Sequence, residues 1–595
     1  MSIKEKNLER LEKLRPDLVE LYNNAGSGKV ETLISKSSLP VLKFGGVAVH
    51  SVYKPEEEGA RFADGLKAGA KDVSVFGLGY GYHLRGLIEK GMTLTVLEPS
   101  PEIFRAAVDN ADLTEIIEKC NLVVGGDLRE KIYESDLSNA VLMAHRPYQN
   151  LFEREWEKVE AAFTVRSFIA RKGLRVMLVG PIYGGSETTF RYVETALKRI
   201  GADVITFDAT PFADGFFEIA KITPNETHTS QLRSLYSSML GEGAVALADY
   251  EKPDLILVMA QAPLDVSALE RLRQLKAPLA LWFVEDFNTL KYWERVAKYY
   301  DYFFTIQKGG FIAKLAAAGA RNIAYLPQAA SPERHFPMEL SQEDIEKYGS
   351  DISFMGAGYY NRKQFFMGLL DYDFKVWGTE WSLNTDVGRR VQNENKRMNP
   401  EEYIKIFSAS KININLHSST SLEGIDPLGD FVNPRVFEIA ACGGFQLVDN
   451  RHELAGLMEC GKEVETFSSL DELRDKIDHY LKNKDERLEI AGAGRKRVLA
   501  DHTFERRMED LLAAIITNEG DSLAKERKGS RYPRNIVGNM IKEAGNDGEL
   551  AAFLKNLDPE KPLSLKEAIE QISEGKGALS RTEALMAMVD QILVQ

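Results

Sequence analysis

Short apolar runs of strand length recur along this chain, alternating with stretches in which apolar residues return every three or four positions. The runs are VSVFGLG (73–79), LTVLEP (94–99), LVVGG (122–126), AVLMAH (140–145), RVMLVGPI (175–182), DVITFD (203–208), DLILVMA (254–260), LALWFVE (279–285), YFFTIQ (302–307), DISFMGA (351–357), FKVWG (374–378), ININLH (412–417) and FQLVD (445–449). Strand followed by amphipathic helix, repeated, implies parallel sheets covered by crossover helices. The runs group into blocks at 1–165, 173–335 and 336–517, with a charged helical connector from Tyr148 to Lys172 between the first two. A length of 595 residues predicts three or four domains, at ~100–200 residues each. NEGDSLAKERKGSRYPRN (518–535) reads as a polar linker with Gly and Pro breakers. Residues 536–595 read as a helical tail without strand signal. The expected fold class is α/β: a pair of Rossmann-like domains whose strand ends line one cleft, preceded by an additional Rossmann-like domain and followed by the tail.

Charge and cysteine usage remove several function classes. A formal net charge of −14 opposes bulk binding to nucleic acid. The three cysteines, Cys120, Cys442 and Cys460, form no C-x-x-C pair. A disulfide framework or structural zinc site is therefore not expected, and a reducing, cytoplasmic setting is. The N-terminus MSIKEKNLERLEKLRPDL lacks the apolar core of a signal peptide. No window approaches the ~20 apolar residues of a membrane span.

The stretch INLHSSTSLEGIDPLGDFVNPRVFEIAACGGFQLVD (414–449) carries the most chemistry. It reads as strand, long loop, helix, strand, with Asn433 as N-cap, Pro434 and Arg435 opening the helix, and Gly443 and Gly444 ending it. Free N–H groups and the positive dipole end suit a diphosphate. Glu438, about one turn inside, can accept from a ribose hydroxyl pair, and Asp430 can reach a donor sugar. Gly356, Gly358, Arg362 and Lys363 form a second phosphate-compatible loop after a strand. His417 ends a strand at the presumed cleft. Trp377 and Trp381 offer aromatic surface for a base or for the core, and His502, Arg506 and Arg507 open a closing helix at the hinge. On the other side of the cleft, Gly184 and Gly185 make a glycine-rich loop. Glu187 there either binds an acceptor or caps the helix beside Ser186. Glu285 or Asp286, at a strand end, can serve as general base.

A rival centre lies in the first block. Gly77, Gly79 and Gly81 follow a strand, and Glu98 ends the next one. That pattern is the fingerprint of S-adenosylmethionine or dinucleotide binding, with the acid on ribose hydroxyls.

The FEIAACGGF segment resembles the nucleotide-sugar motif of GT-B glycosyltransferases, in which an E-x7-E pattern ends in an E-A-x-A-C-G helix. Glu438 matches the second acid, and Asp430 stands where the first is usually Glu. FTIQKGGFIAKLAAAGARNIAYLPQAASPERHF (304–336), DISFMGAGYYNRKQFF (351–366), VWGTEW (376–381) and HTFERRMEDLL (502–512) extend the likeness to CgeB-like enzymes over about 173–515. FGLGYGYHL is similar to the N-terminal region of Maf-type, flagellin-modifying proteins. The resemblance implies a GT-B pair that transfers sugar from a nucleotide-sugar, a UDP-sugar first among them, to a hydroxyl acceptor. The loop at Gly356–Lys363 would then face the donor diphosphate, and Gly184 and Gly185 would match the first acceptor-side loop. It further implies no required metal or other cofactor, and a protein or glycan acceptor, flagellin being one candidate. The departure at Asp430 leaves retention or inversion open. An enzyme centred on Gly77–Glu98, and a non-catalytic GT-B scaffold, stand as alternatives.

Overall fold

The computed structural model describes residues 1–26, 28–66, 69–133, 137, 139–419, 424–426, 431–525 and 583–584. The chain divides into two units between Gly520 and Asp521. Apart from 583–584, which are helical, the expected tail at 536–595 lies outside the described residues.

An antiparallel three-stranded sheet comes first, formed by β1 (Val30–Ile34), β2 (Pro40–Phe44) and β3 (Val47–Ala48). Sequence periodicity did not anticipate it, because β1 is mostly exposed and lacks an apolar face. β4 (Asp72–Phe76), β5 (Thr93–Glu98), β6 (Cys120–Val124) and β7 (Ala140–Ala144) then form a parallel sheet in the order β6-β5-β4-β7. The strand order reverses between β4 and β7, the switch point beside which doubly wound sheets hold ligands. Ser100 caps the helix Pro101–Asn110 by accepting from the Ile103 N–H at 3.2 Å, with proline in the first turn.

The second parallel sheet contains β8 (Arg175–Val179), β9 (Asp203–Phe207), β10 (Leu255–Met259), β11 (Leu279–Phe283), β12 (Tyr302–Thr305) and β13 (Ile323–Tyr325). Its order is β13-β12-β11-β10-β8-β9, with a switch between β8 and β10. β10 and β11, LILVM and LALWF, are buried at every position, as expected of central parallel strands covered on both faces. The third sheet, in the order β15-β14-β16-β17-β18, is built from β14 (Ile352–Met355), β15 (Phe374–Trp377), β16 (Ile412–Asn415), β17 (Gln446–Asp449) and β18 (Glu465–Phe467). Its switch lies between β14 and β16. The second and third sheets make the expected pair of Rossmann-like domains, and each apolar run read from the sequence overlaps one strand of the three parallel sheets.

After the third sheet the chain returns to the second. Ala330 and Thr503 form an isolated parallel bridge, and Phe504 packs edge-on against Trp282 of β11. The helix Phe504–Lys525 follows. It corrects the expected linker, whose first residues, 518–525, continue this helix. The segment NEGDSLAK contains only one strong breaker, Gly520, and a single glycine costs a helix only about 1 kcal/mol.

Candidate active site

The carboxyl ends of the second and third sheets meet at a cleft of about 840 Å³. From the second sheet, the loop after β8 contributes Gly185 and Ser186, and the loop after β11 contributes Glu285 and Asp286. From the third come Tyr359, Ser418 and Ser419, the Asn433–Pro434 turn and Arg451.

Glu285 differs from its neighbour. Asp286 is engaged in its own loop, its carboxylate accepting from the Asn288 N–H at 2.9 Å. Glu285 has no hydrogen-bond or ion-pair partner among the described residues. Burial, helped by the Asp286 charge, pushes its carboxyl up to about 7. It is a carboxylate that can exchange a proton near neutral pH.

On the facing side, His417 is wholly buried and orders the loop. Its Nδ1–H donates to Asp449 at 2.6 Å, while Nε2 accepts from the Asn433 N–H at 2.9 Å. Burial keeps the ring below its usual pKa. His417 therefore positions the Asn433–Pro434 turn rather than meeting a ligand itself. Asp449 also pairs with Arg451 at 2.9 Å. Arg451 was not singled out from the sequence; its position two residues beyond the end of β17 was the available signal. It brings a guanidinium to the cleft. Gln328, buried with its Oε1 unpaired among the described residues, also lines the cleft and was likewise missed.

Several expected donor residues are placed elsewhere. Arg362 is buried and donates to the Leu416 carbonyl at 3.0 and 2.7 Å and to that of Ala357 at 2.9 Å. Three of its five N–H donors go to backbone carbonyls and it does not line the cleft, which corrects the expectation of a phosphate-facing arginine. Lys363 is half-buried on the same helix and does not line the cleft. Gly356 and Gly358 serve close packing: a side chain at Gly358 would come within 2.7 Å of the Glu380 carbonyl, and one at Gly356 within 3.0 Å of the Phe354 ring. The loop's contribution to the cleft is Tyr359. Trp377 and Trp381 belong to the core, and the Trp381 indole donates to the Gly356 carbonyl at 3.0 Å.

The helix Arg435–Ala441 begins one residue later than expected, with Pro434 at its cap and no side-chain capping bond. Asn433 donates instead to Asn415, at 2.8 Å. Glu438, 3% exposed, is paired with Arg435 behind the cleft. His335 stands 3.9 Å from Glu438, Tyr192 lies 3.2 Å from His335, and Tyr192 and Tyr403 are 2.9 Å apart, so the pair belongs to a buried seam between the two halves. Glu187 forms an exposed ion pair with Arg397 across the same boundary, at 3.4 Å. Gly184, at φ +111°, sits against Gln261. Asp430 lies outside the described residues. At the hinge, Arg507 donates to the Pro327 carbonyl at 2.8 Å, His502 is bonded to the Leu457 carbonyl, and Arg506 pairs with Asp510 at 2.7 Å.

Residues 362–513 match the family described as glycosyl transferase-like, and residues 48–128 match the glycosyltransferase Maf N-terminal domain. Over 266 residues the chain is 23% identical to the spore protein CgeB of Bacillus subtilis (strain 168), covering 43% of this chain and 80% of that protein. The chain is a sugar transferase, similar over part of its length to CgeB and carrying a Maf-like N-terminal domain. Among solved structures, the transferase is similar to a sucrose-phosphate synthase from Thermosynechococcus elongatus, at 12% identity and TM-score 0.41 over 59% of this chain and 99% of the other. HepE of Anabaena, solved in complex with UDP-glucose, matches at 13% identity and TM-score 0.39, over 58% of this chain and 99% of the other.

The rival glycine-rich centre of the transferase is filled by its own side chains. Gly77, Gly79 and Gly81 all have positive φ. A side chain at Gly77 would meet the Tyr148 ring at 2.5 Å, and the Gly79 N–H donates to the Tyr148 hydroxyl at 2.7 Å. Glu98, 1% exposed, accepts from the Tyr148 hydroxyl at 2.5 Å and from the Leu78 N–H at 2.9 Å. Tyr148 thus stands against the turn where a cofactor phosphate would approach, and Glu98 is committed to the turn and to Tyr148. This packing argues against the alternative of an S-adenosylmethionine or dinucleotide site built on these residues. Among the described residues no helix is long and apolar enough to cross a membrane.

Proposed function

We propose that this transferase moves a sugar from a nucleoside-diphosphate donor onto a hydroxyl acceptor within the 840 Å³ cleft, with Glu285 as general base. The observation that carries the reading is Glu285 itself: unpartnered among the described residues, facing the cleft, and raised to about 7 by burial. In the transfer, the acceptor oxygen attacks the anomeric carbon and its proton passes to Glu285. The bond from that carbon to the diphosphate breaks, and the nucleoside diphosphate leaves with the electron pair. A base on the acceptor side implies inversion at the anomeric carbon. Arg451 and the Asn433–Pro434 turn, on the facing wall, are the groups for the charge developing on the leaving diphosphate. Glu438 would take the ribose hydroxyls by exchanging its contact with Arg435, and Asp430 would orient the sugar, as the E-x7-E likeness implies. UDP-sugars are the first donors to test. The Maf-like domain supports a protein acceptor such as flagellin, modified in the cytoplasm.

The test is transfer from a panel of nucleotide-sugars by wild type and Glu285→Gln. The variant is expected to keep donor affinity and to lose transfer by ~10²-fold or more, the range for a general base. Wild-type affinity for no nucleotide-sugar, or undiminished transfer by the variant, would refute the reading.

A further inference from the structure

Away from the cleft, the Maf-like domain gathers three histidines that sugar transfer does not use. His50 follows β3, His83 lies in the first turn of the helix Tyr82–Glu89, and His145 follows β7. They converge beside the β4/β7 switch point, with relative exposures of 4%, 0% and 8%. One ring nitrogen from each lies within 4.8 Å of the others. The His83 and His145 rings stack with centroids 4.1 Å apart and planes 8° from parallel.

Hydrogen bonding fixes the tautomers of two rings. His50 Nδ1 lies 2.7 Å from a Glu58 carboxylate oxygen, and His83 Nε2 lies 3.0 Å from the Gly77 carbonyl. Carboxylate and carbonyl only accept, so each of those nitrogens carries the proton and the opposite nitrogen presents a lone pair. Metal-binding histidines are oriented by the same kind of partner. The His50 lone pair receives the Tyr80 N–H at 2.8 Å. His83 Nδ1 and His145 Nδ1 are buried with no hydrogen-bond partner among the described residues. Packing alone does not account for two adjacent unpaired nitrogens, since a buried polar atom without a partner carries its full desolvation penalty. Protonation does not resolve this, because two stacked imidazoliums would repel in a buried site.

We propose that His50, His83 and His145 bind one divalent transition-metal ion of the zinc class. Neutral imidazole is a fitting ligand for such ions, and a closed, buried site with protein ligands is the structural rather than the catalytic kind. Glu58 orients His50 by accepting its Nδ1–H at 2.7 Å, on the side of the ring away from the ion. With Zn–N bonds of ~2.0–2.1 Å, the ligand nitrogens must draw together to about 3.4 Å, and the stacked His83 and His145 rings must tilt out of parallel, because each lone pair lies in its ring plane. His50 exchanges the Tyr80 N–H for the ion. The ion fastens the segment after β3, the glycine-rich turn and the end of β7 to one another. These ligands are far apart in sequence and form no short motif, which is why the sequence reading, based on cysteine spacing, expected no structural zinc site.

The test uses the full chain, stripped with a chelator, incubated with zinc chloride or cobalt chloride and desalted. Expected are one retained zinc per chain, the strong visible absorption of four-coordinate cobalt, and a higher thermal midpoint with metal. The double variant His83→Gln/His145→Gln should lose at least tenfold in retained zinc while its circular dichroism is unchanged. No retained metal in folded wild type overturns the site, as does equal retention by the folded double variant, which would mark adventitious binding elsewhere. Should the double variant not fold, imidazole 15N resonances of wild type decide. Zinc-induced shifts of the three buried rings support the site, and unmoved resonances overturn it.

Discussion

Glu285 places stability and activity in opposition. Burial first and the Asp286 charge second raise its carboxyl from 4.5 to about 7. A raised acid holds its proton more tightly in the folded chain, so this group's stabilisation is fully present below 4.5 and is lost as pH rises through about 7. Transfer needs the ionised form, so kcat at saturating donor should climb with pH through the same point. Glu285→Gln should therefore be at least as heat-stable as wild type at pH ~8, while transferring ~10²-fold or more slowly. Rate–pH profiles and thermal midpoints check both halves; a flat wild-type profile would remove Glu285 from the proton path. Glu438 needs a gentler substitution. Truncation would leave the partly exposed Arg435 without its carboxylate partner and confound binding with stability. Glu438→Gln keeps the shape, and by calorimetry should bind the nucleotide-sugar weaker by about 1 kcal/mol or more if the carboxylate meets ribose. An unchanged affinity would make Glu438 a seam residue only.

The glycine-rich turn after β4 shows how an element can carry a cofactor fingerprint without cofactor space. Gly77, at φ +105°, lies in the left-handed region and abuts the Tyr148 ring. Gly77→Ala should cost ~2 kcal/mol or more in stability, since strain and clash combine, yet leave nucleotide-sugar affinity unchanged. Urea unfolding and calorimetry on the same variant check this. The turn also marks how far sequence reading reaches. The strand–turn–helix at Gly77 was legible because glycines and an apolar run declare it; that Tyr148 would fill it was not, since the two are brought together only by the β4–β7 pairing. β13 and β18 escaped notice because three-residue strands carry no periodicity. Arg362 shows the same limit for a side chain. Its place on a helix start suggested a phosphate, whereas the carbonyls it bonds belong to the end of β16 and the turn before it, a neighbourhood only the third dimension supplies. Arg451 was overlooked for the converse reason: an arginine in a polar turn after a strand looks like an ordinary surface cation until buried Asp449 is seen to hold it.

At the scale of the whole transferase, the two GT-B halves meet along a seam of unequal contacts. The Glu187–Arg397 pair is exposed and screened, and such pairs contribute ~0–1 kcal/mol at most. The buried chain His335–Tyr192–Tyr403 is the stronger latch, because its polar groups have exchanged water for one another. His335 makes that latch sensitive to acid. Its Nδ1 accepts from the Ser331 N–H at 3.0 Å, so the neutral tautomer fits and the cation does not. Burial lowers its pKa from 6.5 to about 4, against the opposing pull of Glu438. A depressed base stabilises the fold fully above 6.5, and that contribution is lost as pH falls toward 4. The shift corresponds to about 3 kcal/mol at most. His335→Gln, which can still bond Ser331 and Tyr192 but cannot take up this proton, should be less stable than wild type at neutral pH. Its deficit in thermal midpoint should narrow as the buffer is lowered through that window. A deficit constant with pH would show that His335 takes up its proton equally in the folded and unfolded chain, or that the seam opens before the rest of the molecule. Small-angle scattering at the low-pH end separates these two, because an opened seam enlarges the folded particle and an unperturbed one does not.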